Sequence, residues 1–132
     1  MIRVELSTRE CDGRVIVALR GELDITDAVS VAAALAAAAA RAPEIIVDLA
    51  CLEFIDCGGV AALAPGRTQA RHAGGDLQLA AAQQQVLRVL TLTRLIEIFP
   101  VHPGVDEAAG SASRSWPAAA PVTGSPVRVA MA

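Results

Sequence analysis

Apolar and polar residues alternate at the head of the chain. Ile2, Val4 and Leu6 fall on one side and Arg3, Glu5 and Ser7 on the other, a period of two that predicts a strand with one polar face. Asp12-Gly13 is a turn signal, and Arg14 to Arg20 (RVIVALR) reads as a second, more buried strand closing a hairpin. Gly21-Glu22-Leu23-Asp24-Ile25 ends that strand. A helix follows, with Thr26 as its N-cap and Asp27 adding charge to the first turn. It runs to about Arg41, with Pro43 marking its end and Val31 and Leu35 on its buried face. Glu44 to Ala50 is almost unbroken Ile, Val and Leu, the pattern of a strand covered on both faces. A helix then runs from about Cys57 to Ala73, kinked or split by Pro65-Gly66 and ended by Gly74-Gly75. Asp76 to Ala80 predicts a fourth strand, Gln83 to Thr91 a helix and Leu95 to Phe99 a fifth strand stopped by Pro100. A last helical turn starts near Gly104-Val105-Asp106-Glu107.

The order ββαβαβαβα places crossover helices between strands after the first hairpin. It predicts an α/β fold with a mixed, mostly parallel sheet of four to five strands and helices packed on it. The pattern stops at about residue 109. Residues 110–132 are Ala, Ser, Pro and Gly with few large apolar side chains, and read as a disordered tail. Trp116 lies in that tail, as an incidental residue or a docking anchor.

Composition narrows the function classes. The chain has 132 residues, enough for one domain, and only three aromatic residues, so its core must be built from Val, Leu, Ile and Ala. The net charge is −3, and no basic stripe is present to attract nucleic acid. Three cysteines, Cys11, Cys51 and Cys57, form no CxxC pair, which argues for a reducing compartment and against a disulfide framework or a zinc site. The N-terminus lacks a signal-peptide pattern, and the longest apolar run, Val29 to Ala40, is too short and too Ala-rich to span a membrane. A cytoplasmic protein without cofactor is expected.

The candidate chemistry sits where the third strand hands over to a helix, at Ile55-Asp56-Cys57-Gly58-Gly59-Val60. Free backbone N–H groups and the positive end of a helix dipole favour an anion there and lower a thiol pKa, while Asp56 opposes thiolate formation. Asp56 suits an N-cap, and Gly58 and Gly59 permit close backbone approach or a positive φ. Cys57 is open to three readings: a small residue shaping the turn, a position locked in one state, or a redox-reactive thiol. A thiol phosphatase would carry Arg six residues after the cysteine; Leu63 stands there, so no enzyme is expected. Glu22 and Asp24 read as exposed loop residues or as a carboxylate pair. His72, near a helix end, suits the dipole; His102, before Pro103, has no assigned role.

Gly21-Glu22-Leu23-Asp24 with the helix after it, then Asp48-Leu49, Leu52, Phe54-Ile55-Asp56-Cys57 and Gly59, resembles the STAS domain, and more narrowly the bacterial anti-sigma factor antagonists. The likeness continues through Ala73-Gly74-Gly75-Asp76-Leu77 and Leu95, Phe99-Pro100-Val101, over about residues 2 to 109. The resemblance implies a STAS-like domain over 1–109 and a role in partner switching. Such an antagonist binds an anti-sigma factor that is also a serine kinase of the GHKL type, and so frees a sigma factor. Phosphorylation of a Ser directly after the motif Asp breaks the complex, and a serine phosphatase resets it. Cys57 stands at that Ser here and Asp56 at the Asp before it, while Asp24 matches an acidic residue near the phosphorylation site. No Ser or Thr remains in 55–60, so phosphorylation there is not expected. The partner-binding residues implied are Glu22, Asp24, Asp56, Cys57, Gly58, Gly59 and Val60, with Arg67 and Arg71 on the following helix, in a monomer or weak dimer. The alternatives are a thiol-based redox sensor and a STAS interaction module in a sensory complex.

Overall fold

The computed structural model describes residues 4–11, 13–112 and 123–131. The chain runs β1 (Val4–Cys11), β2 (Arg14–Leu23), a 3-10 turn (Ile25–Asp27), α1 (Ala28–Arg41), β3 (Glu44–Ile55), α2 (Cys57–Ala61) and α3 (Leu63–His72). It continues with β4 (Asp76–Ala80), α4 (Gln84–Leu92), a second 3-10 turn (Leu95–Glu97), β5 (Val101–His102), α5 (Val105–Ala112) and β6 (Thr123–Met131). The strands form one sheet in the order β5-β4-β3-β2-β1-β6. β2, β3, β4 and β5 are parallel neighbours, and β1 is antiparallel to both β2 and β6. β1 to β5 make the mixed, mostly parallel sheet that the alternation predicts, and β6 adds an edge strand beyond it.

Burial follows the sequence pattern. Ile45, Ile46 and Val47 of β3 are almost wholly buried, because helices cover both faces of this central strand. In α1, Val31, Leu35, Ala38 and Ala39 recur at i, i+4, i+7 and i+8 and form the buried stripe. They share one core with Val4, Leu6, Val17, Leu19, Leu49, Leu63, Leu77, Leu79, Val86 and Leu90. Each large aliphatic side chain buried in this way is worth about 1.5–3 kcal/mol. On the other face, Ala108 and Ala109 of α5 lie over Ile16, Ile46 and Ala80.

Three expectations are corrected. Leu95 to Phe99 is not a strand: Arg94 adopts φ 63°, which ends α4, and Ile98 N and Phe99 N donate back to Leu95 O in helical fashion. The strand starts beyond Pro100, whose carbonyl accepts from Leu79 N although its nitrogen cannot donate. Within the stretch expected to be a disordered tail, α5 runs to Ala112 and 123–131 pairs with β1. Val127, Val129 and Met131 alternate with Arg128 and Ala130, the same period of two as in β1. The β1–β6 register shifts between Thr8 and Glu10, next to Pro126, where a ladder donor is missing. Trp116 lies outside the described residues. Third, the helix expected over 57–73 does split, but at Ala62. Pro65 falls in the first turn of α3, where no intrahelical N–H bond is required of it.

Glu44 opens β3 between its register partners Arg14 and Asp76. Burial raises its carboxyl above the ordinary value; Arg14 opposes this and Asp76 adds to it. The folded state therefore holds this proton more tightly than the unfolded chain. The stability it contributes is full below the unfolded pKa and is lost as the pH climbs through the raised value. Glu44→Gln stays neutral throughout. Its melting temperature relative to the native chain should be higher at pH 7 than at pH 4, and an offset independent of pH would contradict this.

Candidate functional site

β2 and β3 are parallel, and Leu23 and Ile55 are register partners at their ends. The two chains therefore leave the sheet side by side, each into a turn headed by an aspartate. Asp24 is extended (φ −127°, ψ −174°), and its Oδ1 accepts from Thr26 N at 2.9 Å and from the Thr26 hydroxyl at 2.5 Å. Asp56 is extended in the same way (φ −110°, ψ −178°), and its Oδ1 accepts from Gly59 N at 2.8 Å. Each carboxylate satisfies donors that the first helical turn leaves open. The N-cap expected at Asp56 is present. The one expected at Thr26 belongs instead to Asp24, because a 3-10 turn precedes α1 and moves the cap upstream.

The turns are locked together. Asp56 N donates to Leu23 O at 3.2 Å. A Cβ on Gly59 would lie 2.5 Å from that same carbonyl oxygen and 3.0 Å from Ile55 Cγ1, and one on Gly58 would lie 2.5 Å from Ile25 Cβ. The glycines are required for close approach, as their pairing at a strand-to-helix turn suggests.

The structure sorts the candidate residues. Cys57, the first residue of α2, is exposed, and so is Glu22 at the end of β2. Gly58 is half-buried under Ile25. Asp24 is 9% exposed, so it is a buried cap and not the exposed loop residue expected. Gly59 and Val60 are buried on the core side of α2 and offer a partner no side-chain surface. Arg67 is half-buried and held by neighbouring elements. Its Nε donates to Asp76 Oδ1 at 2.9 Å, its Nη1 to Ile98 O, and its guanidinium lies 5.6 Å from the Phe99 ring centre. It clamps α3 to β4 and to the segment before β5. Arg67→Ala should lower stability by about 1–2 kcal/mol, because hydrogen bonds from a charged group to two elements are lost, as an unfolding titration would read. Arg71 is exposed and shares with Arg67 a shallow groove bounded by Ala64, Leu95, Ile98 and Phe99. None of the residues lining that groove comes from the Asp24 or Asp56 turn.

Sequence reasoning missed two apolar residues beside these turns. Ile25 is 69% exposed and Val29 82% exposed. They stand four residues apart, opposite the buried Val31–Leu35 stripe. Their spacing against that stripe was the available signal. Phe54, paired with Glu22 near the end of β3, is half-exposed. The site therefore combines an exposed thiol, two capped carboxylates and exposed apolar side chains. Neither His72 in α3 nor His102 in β5 belongs to the elements that build it. Among the described residues, no three His, Cys, Asp or Glu side chains gather as a metal site would need, and no helix is long and apolar enough to cross a membrane.

A family model described as STAS domain matches residues 5–108. The anti-sigma-F factor antagonist RsfA of Mycobacterium tuberculosis is 35% identical over 104 residues, covering 74% of this chain and 78% of that one. The crystal structure of an anti-sigma factor antagonist from Mycobacterium paratuberculosis superposes with a TM-score of 0.71 at 26% identity, over 83% of this chain and 93% of that one. SpoIIAA of Bacillus in its phosphorylated form gives a TM-score of 0.62 at 19% identity, over 82% and 99%. This last likeness is one of fold.

Proposed function

The chain belongs to the STAS domain family, and on that premise we propose that it is an anti-sigma factor antagonist. It binds an anti-sigma factor of the serine-kinase type and thereby frees a sigma factor for transcription. The observation that carries this reading is the pair of locked turns at the ends of β2 and β3. They hold Cys57, Glu22 and Ile25 at the surface on a rigid base, with Val29 exposed at the start of α1 just after them, in a chain 35% identical to an anti-sigma-F factor antagonist. Rigid apolar residues rimmed by charge suit protein recognition, since little conformational entropy is lost when they are covered.

Cys57 stands where related antagonists carry a phosphorylated Ser, and it leaves the 55–60 turn permanently in the unmodified, binding-competent form. A thiol is a soft nucleophile, and the kinase reaction calls for a hydroxyl whose proton a base can take. The test is a titration of the full chain with its cognate anti-sigma factor, followed by addition of radiolabelled ATP and tryptic mapping. Peptide 42–67 contains Cys57 and no Ser or Thr. It should carry no label in the native chain and should acquire label in Cys57→Ser. Failure to bind, or label in this peptide of the native chain, would sink the reading.

A further inference from the structure

The loss of a hydroxyl at Cys57 raises the question of whether another hydroxyl on the same surface can receive phosphate. Thr68, Thr91 and Thr93 direct their hydroxyls at helix carbonyls, Ala64 O, Leu87 O and Val89 O. A carbonyl so engaged is no base. Thr26 differs: it is exposed, and its hydroxyl donates to the carboxylate of Asp24 at 2.5 Å, the short end of the range for an O–H bound to an ionised oxygen. It also follows Ile25, the residue against which Gly58 packs. A partner seated on the Cys57 turn therefore has the Thr26 hydroxyl at its border.

We propose that Thr26 is a phosphoacceptor of this chain, taking the γ-phosphoryl group of a nucleoside triphosphate held by the anti-sigma factor kinase. The proposal rests on the reading above that the partner is a kinase. In the step, Thr26 Oγ1 forms a bond to the γ-phosphorus. The bond from that phosphorus to the β–γ bridging oxygen breaks, and the nucleoside diphosphate leaves with the electron pair. The hydroxyl proton passes to Asp24 Oδ1, to which it is already hydrogen-bonded. The product removes that hydrogen bond and sets about two negative charges against the Asp24 carboxylate and beside the buried Asp27, whose Oδ2 has no partner to absorb the change. The 3-10 turn carrying Ile25 is thereby disturbed and the partner released. The switch has moved from one turn to its neighbour.

The experiment uses the full chain, its cognate anti-sigma factor and radiolabelled ATP. Tryptic peptide 21–41 contains two hydroxyls, Thr26 and Ser30. The native chain should take label in this peptide, Thr26→Ser should take it too, and Thr26→Val should take none. Thr26→Glu should weaken binding by more than tenfold, since it sets a charge against the Asp24 carboxylate and beside Asp27 in the turn that carries Ile25. Binding without label in 21–41, label that survives Thr26→Val, or label at Ser30 overturns the proposal and leaves the antagonist reading intact. A chain that does not bind the factor at all overturns both.

Discussion

Gly59→Ala is expected to destabilise the folded chain by about 3 kcal/mol, the upper part of the range for overpacking a close contact. The added methyl would sit 2.5 Å from Leu23 O. That oxygen cannot retreat, because Leu23 closes a strand paired with β3 and the same carbonyl accepts from Asp56 N. Relief must come from moving α2. Such a move stretches the Asp56–Leu23 bond and pulls Val60, fully buried, out of the core. Gly58→Ala meets Ile25 Cβ at 2.5 Å and its backbone Cα at 2.9 Å, so the 3-10 turn itself must move, and a loss of about 2 kcal/mol is expected there. Urea unfolding at unchanged slope reads both values as shifts of the midpoint. A Gly59→Ala loss below about 1 kcal/mol would mean that the two turns are not locked as described.

These glycines mark how far the sequence could be read. The unbroken apolar run of β3 and the alternation of β1 were legible because burial imposes a period on neighbouring residues. The Asp56 cap was legible because the carboxylate and the donor it satisfies lie three residues apart. Arg67 was not, since its partners are nine and 31 residues away, at Asp76 and Ile98, and no local rule couples such positions. Leu95 to Phe99 is a short, mostly apolar run before a proline, which is enough to suggest a strand, but the left-handed backbone at Arg94 sends it into a helical turn instead. β6 was hidden for a different reason: five alternating residues are weak evidence until an unpaired strand edge is known to await them, and β1 supplies that edge only in the folded sheet. Burial of Val60 also depends on which way a five-residue helix turns, and the neighbouring turn decides this.

Val29→Asp should separate recognition from folding most cleanly, with about a hundredfold loss of affinity for the anti-sigma factor, close to 2.7 kcal/mol. Truncating or charging a central apolar contact has effects of that size at protein interfaces, where the inserted carboxylate would lose its water without gaining a partner. The fold should not notice. Val29 is 82% exposed and is the second residue of α1, so a carboxylate there faces solvent and the positive end of the helix dipole, a favoured place for it. The melting temperature of the variant should stay close to that of the native chain or rise slightly. Ile25→Asp should weaken binding by a similar factor but also lower stability, since Ile25 packs on Gly58, and the contrast between the two variants identifies Val29 as pure contact surface. Titration calorimetry of both variants against the factor supplies the numbers. An affinity for Val29→Asp within about threefold of native would place the partner elsewhere, and the Arg71 groove would become the surface to mutate next.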